Sequence, residues 1–204
     1  MNQANNTQTH YLDIKVIPQA EISSNIILSK AFGLLHPYMV EYNHFLSDKQ
    51  LSIGFPKYSD NSVGEILRVF GDKLQLEKLI STFNILNSYI EDLEVKITPK
   101  NITDYEYFYR ERYISNSQIN RNIARKNRKN EIYSDEEMKD MIKKYSSKKK
   151  APFLVINSKS TQQEKIRIYI GSKKSSKGNY GILSSFGLNQ KKNLDLSFST
   201  VPIF

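Results

Sequence analysis

"HYLDIKVIP" (His10–Pro18) and "SSNIILSKAFGLLHPYMVEY" (Ser23–Tyr42) lie close together in the chain and follow two different periods. The first alternates apolar and polar residues, is rich in Ile, Val and Tyr, and is closed by Pro18, which marks a strand. In the second, apolar residues fall at Ile27, Ala31, Leu35, Met39 and Tyr42, the spacing of one helix face, with Ser23 or Ser24 placed to cap its start. Working outward, "LSIGFP" (Leu51–Pro56) and "GEILRVFG" (Gly64–Gly71) are short strands bounded by Gly, Pro and Asp. "DKLQLEKLIST" (Asp72–Thr82) is a helix capped by Asp72, and "LEVKITP" (Leu93–Pro99) is a closing strand. The order βαββαβ predicts a ferredoxin-like, RRM-like domain over residues 1–100 of an α+β chain. That fold hosts many functions and by itself licenses none.

"PKNIT" (Pro99–Thr103) reads as a linker to a second domain over residues 101–204. There "DYEYFYRERY" (Asp104–Tyr113) is extended, with Tyr105, Tyr107 and Tyr109 on one face. "QINRNIARKNRK" (Gln118–Lys129) is a basic helix, and "YSDEEMKDMIKKY" (Tyr133–Tyr145) a second helix capped by Ser134. "PFLVIN" (Pro152–Asn157) and "KIRIYIG" (Lys165–Gly171) form a hairpin around "SKSTQQE". "SKKSSKGN" (Ser172–Asn179) reads as a flexible basic loop.

Charge separates the two halves. Of 30 Lys and Arg residues only 9 lie in the first hundred positions, against 11 Asp and Glu; the rest of the chain holds 21 against 10. A near-neutral scaffold joined to a strongly basic half points to a polyanion, nucleic acid first. Membrane fits less well, because the basic stretches lack a strongly apolar opposite face. The absence of Cys removes disulfides and thiolate zinc sites. With no secretory signal and no apolar run of spanning length, the expectation is a soluble cytoplasmic protein.

In the basic helix, Arg121, Arg125 and Arg128 share a face, with Asn122, Lys126 and Lys129 in the adjacent row. Ile119 and Ile123 form a narrow apolar stripe that could anchor it. Two rows of cations suit a phosphate backbone, and such binding falls steeply with salt. The alternative is a solvated charged helix with nothing to hold.

Three His residues are present: His10, His36 and His44. No HExxH, no Gly-rich phosphate loop and no acidic cluster with metal-ligand spacing occurs, so no cofactor or metal is expected. A nuclease built from these residues would use a metal-independent route, in which a His takes the proton of an RNA 2′-hydroxyl. His36 is the best placed, directly before Pro37, where a kink or helix end is expected. A His that merely caps that break is the plainer reading. "NSKSTQQ" offers hydroxyls for a ribose or phosphate, although turn Ser and Thr more often bond their own backbone.

Taken in order, "HYLDIKVIP", "FGLLH", "SIGFP", the basic helix with "SDEEMK", "PFLVINSKST", "SFGLN" and "VPIF" resemble the CRISPR-repeat-processing endoribonuclease of type I-F systems over nearly the whole chain. The resemblance implies a ferredoxin-like domain joined to one with an arginine-rich helix. It implies cleavage of precursor RNA at the 3′ base of the repeat stem-loop, leaving a 2′,3′-cyclic phosphate. It also implies retention of the product as a subunit of a type I-F surveillance complex. By the same resemblance His36 matches the catalytic histidine and Ser158 the serine that holds the reacting ribose, with Ser160 and Thr161 lining the pocket. Arg110 matches a base-reading arginine, and Arg121, Arg125, Lys126 and Arg128 would contact phosphates of the hairpin, with Asn122 and Lys129 beside them. In that deep, narrow groove, backbone and shape outweigh base reading.

Three positions depart from the pattern. Phe186 stands where relatives often carry Tyr in a "YGLS"-like motif, and Tyr180 is the nearby phenol that could substitute. Arg112 occupies a base-reading position that is usually Gln, and Ile166 replaces a stacking aromatic. Two rivals remain from the sequence: a non-catalytic holder of the repeat hairpin, and a general nucleic-acid-binding module.

Overall fold

The computed structural model describes residues 8–45, 49–113, 116–129, 131–147, 151–158, 162–190 and 198–204. The first half is β1 (His10–Lys15), α1 (Ser24–Val40), β2 (Ser52–Gly54), β3 (Ile66–Gly71), α2 (Lys73–Ile80) and β4 (Val95–Ile97). Its antiparallel sheet has the order β2-β3-β1-β4, so the two central strands are the first and third. This is the ferredoxin-like arrangement that the sequence pattern predicts. Leu12 and Ile14 of β1 point to the helices and are fully buried, as the strand's period of two requires. Asp72 caps α2 as expected: its Oδ1 accepts from Gln75 N–H at 2.9 Å, and Gln75 Oε1 accepts in return from Asp72 N–H at 3.0 Å.

The second half adds β5 (Tyr105–Glu111), α3 (Asn116–Asn127), α4 (Asp135–Ser147), β6 (Phe153–Ser158), β7 (Gln163–Ser175), β8 (Asn189–Gln190) and β9 (Val201–Pro202). The second sheet runs β6-β7-β5-β8, with β9 also paired to β5. Here one expectation is corrected. Ser172–Ser175 are not loop: they prolong β7, because β5 supplies a full ladder from Tyr105↔Ser175 to Glu111↔Tyr169. Backbone pairing outweighs the loop-like composition of the segment.

One apolar cluster runs through both halves, from Leu12, Phe32 and Phe70 to Phe108, Leu154 and Ile168. Phe55 meets Phe108 edge to face, ring centres 5.2 Å apart, and Tyr58 meets it at 5.7 Å. α1 lies within this core rather than on its surface. Ser29, buried in the middle of the helix, accepts the Val155 N–H of β6 on its Oγ at 2.9 Å. With sheet on one side and the β6–β7 hairpin on the other, α1 buries Ile27, Leu28, Ala31, Phe32, Leu35 and Met39.

The break expected at His36 is also corrected. α1 continues through Pro37 to Val40 and only then widens into a π-helical turn, Glu41–Phe45. Pro37 removes the donor that Gly33 carbonyl would have used, but both residues are exposed, so water can serve that carbonyl. His36 is therefore held on a rigid helix and not at a frayed end.

Candidate active site and RNA-binding surface

The site begins with how the Ser184–Leu188 turn closes. Ser184 N–H donates to Leu188 O at 2.9 Å, and Gly187 N–H donates to Ser184 O at 2.9 Å. Gly187 takes φ +66°, a region that disfavours side chains, and a Cβ there would press on Met39 Sδ at 3.0 Å. The turn is thus folded tightly against the last turns of α1. It delivers two groups to His36. Ser185 carbonyl lies 3.0 Å from His36 Nδ1, and the Phe186 ring stacks on the imidazole, centres 4.6 Å apart and planes 8° from parallel.

A carbonyl only accepts, so Nδ1 carries a proton. In the neutral ring Nε2 then presents its lone pair, and it has no hydrogen-bond partner among the described residues. Burial pushes the imidazole below its ordinary titration range; the bond to Ser185 carbonyl opposes this, and the Arg110 charge adds to it. Arg110, half-buried on β5, lies over the Phe186 ring at 4.9 Å from its centre. Phe32 sits nearly parallel to the same ring at 6.4 Å. His36, Phe186 and Arg110, separated widely in sequence, therefore form one cluster: a neutral base, an aromatic wall and a cation. Such a cluster can take a proton beside a negatively charged ligand.

The other sequence-derived residues are placed less closely. Ser158 ends β6 in register with Gln163, after an irregularity in the ladder; its side chain, like all of Ser160 and Thr161, lies outside the described residues. Arg112 is exposed just past β5, where its charge acts on Arg110. Tyr180 is exposed on the segment leading toward the turn. His10 shares a 3.0 Å contact with Thr9 Oγ1, away from any catalytic partner, and the side chain of His44 is outside the described residues.

The basic helix α3 spans Asn116–Asn127, so Arg128 and Lys129 fall in the turn that closes it and not in the helix itself. Arg128 N–H still reaches Ala124 O at 3.3 Å, which prolongs the helical path by one residue. Ile119 is buried and Ile123 partly so, as an anchoring stripe requires. Arg121, Arg125, Arg128 and Lys129 are exposed. Among the described residues, Arg121 and Arg128 bond carbonyls of their own helix, Ser117 O at 3.2 Å and Ala124 O at 3.3 Å. Lys126 is different. Its Nζ lies 3.1 Å from Glu137 of α4 and 4.0 Å from the centre of the Tyr133 ring, so it ties the two helices together.

A family model described as CRISPR-associated protein (Cas_Csy4) matches residues 11–204. The chain belongs to that family. It is a CRISPR-associated endoribonuclease of the type I-F kind, which processes CRISPR RNA and binds the repeat. No helix among the described residues is long and apolar enough to cross a membrane.

The sequence reading missed two residues that hold the turn beside His36: Gly187, and Asn43, whose Nδ2 donates to Ser184 O at 3.1 Å. Gly187 went unremarked within "SFGLN", although a Gly clustered with Ser184, Ser185 and Asn189 is a turn signal. Asn43 left a subtler trace. It falls one helical step beyond Met39 on the apolar stripe, a polar amide where a core side chain is due, and it is buried.

Proposed function

We propose that the chain cuts CRISPR precursor RNA without a metal ion, at the 3′ base of the repeat stem-loop, through the RNA's own 2′-hydroxyl. The observation that carries this reading is the setting of His36: Nδ1 lies 3.0 Å from Ser185 carbonyl, which leaves Nε2 as the base, and burial favours the neutral ring. His36 Nε2 takes the 2′-hydroxyl proton as the 2′-oxygen bonds to phosphorus. The bond from phosphorus to the 5′-oxygen breaks, and that oxygen takes up a proton as it leaves. The products are a 2′,3′-cyclic phosphate and a 5′-hydroxyl. Ser158 is proposed to hold the ribose, with Ser160 and Thr161 beside it. Arg110 and Arg112 read bases at the foot of the stem, and Arg121, Asn122, Arg125, Lys126, Arg128 and Lys129 lie along the hairpin backbone.

The division of labour follows the charge: residues 1–100 carry the base and residues 101–204 the grip. A strongly basic grip favours retention of the product, and the protein acts in the cytoplasm as a subunit of a type I-F guide-RNA complex. The Phe186 departure does not favour a non-catalytic holder. The ring's observed work is stacking on His36 and under Arg110, and neither needs a hydroxyl. The deciding test is cleavage of the cognate repeat RNA in EDTA beside a copy with a 2′-deoxy sugar at the cut. Cutting of the first and intact binding of the second is expected. Binding of both with cutting of neither would make the protein a hairpin holder.

A further inference from the structure

We infer that Asn43 is a positioning residue for the cleavage reaction: it clamps the Ser184–Leu188 turn and so fixes the tautomer and orientation of His36. This rests on His36 being the base.

The π-helical turn Glu41–Phe45 follows α1 directly and places Asn43 in the interior, 6% exposed. Its amide is fully engaged. Nδ2 donates to Leu51 O at 2.8 Å and to Ser184 O at 3.1 Å, and Oδ1 accepts from Leu51 N–H at 2.7 Å. One side chain therefore ties three things: the end of the helix that carries His36, the entry to β2, and the turn that touches His36. An amide suits this role because it donates twice and accepts in one plane. Neither Asp nor Ala can donate to two carbonyls.

Ser184 carbonyl, which Asn43 holds, also accepts Gly187 N–H, and the next residue supplies the carbonyl that bonds His36 Nδ1. Releasing Ser184 therefore shifts both the carbonyl and the Phe186 ring that confine His36. The sequence favours this geometry from the other side as well, because Gly187 is the residue that lets the turn close on Met39. In water neutral imidazole prefers its proton on Nε2, which would block the base; the Ser185 carbonyl reverses that preference. Arg110 of β5 is the charged group that acts on His36, and Arg112 acts on Arg110. The hydrogen bonds of Asn43 among the described residues go to Leu51 and Ser184 and not to either arginine, so the Asn43 effect is separable from theirs.

The test compares Asn43→Ala and Gly187→Ala with the native chain on three readouts: single-turnover cleavage of repeat RNA across pH, RNA affinity, and the nitrogen-15 shifts of the His36 ring. Native protein should show the proton on Nδ1. Both variants should keep native affinity yet cleave about 10- to 100-fold more slowly, the cost of a misplaced catalytic group. Their His36 spectra should shift toward the Nε2–H form. The acid limb of the rate profile should move up, because loosening the turn exposes a ring that burial holds down. Gly187→Ala leaves the Leu51 bonds intact and tests the turn's hold on His36; where Asn43→Ala fails to fold, Asn43→Ser, whose hydroxyl is too short to span Leu51 and Ser184 together, decides the role of Asn43. A folded variant with native rate, tautomer and pH limb would overturn the inference. If His36→Ala still cleaves, the His36 assignment itself fails; if His36→Ala is inactive while both turn variants are native, only the role of Asn43 falls.

Discussion

α1 and α3 are helices of opposite make, and the contrast matches the roles of cutting and holding proposed for them. α1 is buried between a sheet and a hairpin, with Phe32 and Leu35 wholly excluded from solvent. α3 keeps Ile119 buried while its arginines stand in water. Proton transfer needs atoms placed within a few tenths of an ångström, so a helix fixed by the core suits the role proposed for His36. Phosphate attraction changes slowly with distance, so cations can work from an exposed surface. On the proposed reading, the buried helix serves the chemistry and the charged one the polymer.

If that contrast holds, substitutions in the two helices should separate cutting from holding. The largest effect is expected at His36. His36→Ala should lower single-turnover cleavage about 10²- to 10⁴-fold, the usual range for a general base, with unchanged affinity for repeat RNA. Equal losses of cleavage and affinity would erase the distinction between the helices. Next comes Phe32→Ala, which removes a fully buried ring from α1 and the support beneath Phe186. It should cost about 3–5 kcal/mol of unfolding free energy. Chemical denaturation measures this directly, and a cost near zero would mean that α1 is not the rigid member of the pair.

The pH dependence sharpens the same point. A general base works only when neutral, so the rate should be flat at high pH and fall tenfold per unit below the His36 pKa. Burial, aided by Arg110, holds that limb below the ordinary imidazole range. Arg110→Met removes the neighbouring charge and should move the limb upward, measured at saturating protein so that lost affinity does not intrude. A rate that instead rises as pH falls would recast His36 as an acid.

Much of the first helix was legible in the sequence, because burial leaves a period. Ile27, Ala31, Leu35 and Met39 were read as one face, and all four are buried. The site was legible only in part. His36 and Arg110 stand out as residue types, but nothing local shows that Phe186, far along the chain, stacks between the reach of both. Pro37 misled because propensity predicts the cost of a broken bond and not whether water can meet the orphaned carbonyl. Ser172–Ser175 misled because a strand's partner is remote. In α3 the row of cations was plain, yet whether each cation faces RNA or a neighbouring helix depends on where α4 docks.

α3 itself yields the smaller effects. Arg125→Ala removes one exposed charge and should weaken binding modestly while lowering the slope of log affinity against log salt by about one. Lys126 poses the finest question, because Glu137 already holds it. Glu137 does two things: its carboxylate accepts from Ser134 N–H at 2.8 Å in the α4 cap, and it pairs with Lys126. Those bonds, the backbone one first, keep its carboxyl below the usual range, so it is charged at neutral pH. Glu137→Gln should separate the two roles, since Gln can complete a capping box as Glu does while carrying no charge. α4 should therefore stay folded while Lys126 is released, apart from its contact with the Tyr133 ring. The expected result is a gain in affinity of a few fold and a salt slope steeper by up to about one, because an exposed pair contributes little to stability but occupies a cation. An unchanged slope would place Lys126 off the path of the RNA, leaving α3 to grip through its arginine row alone.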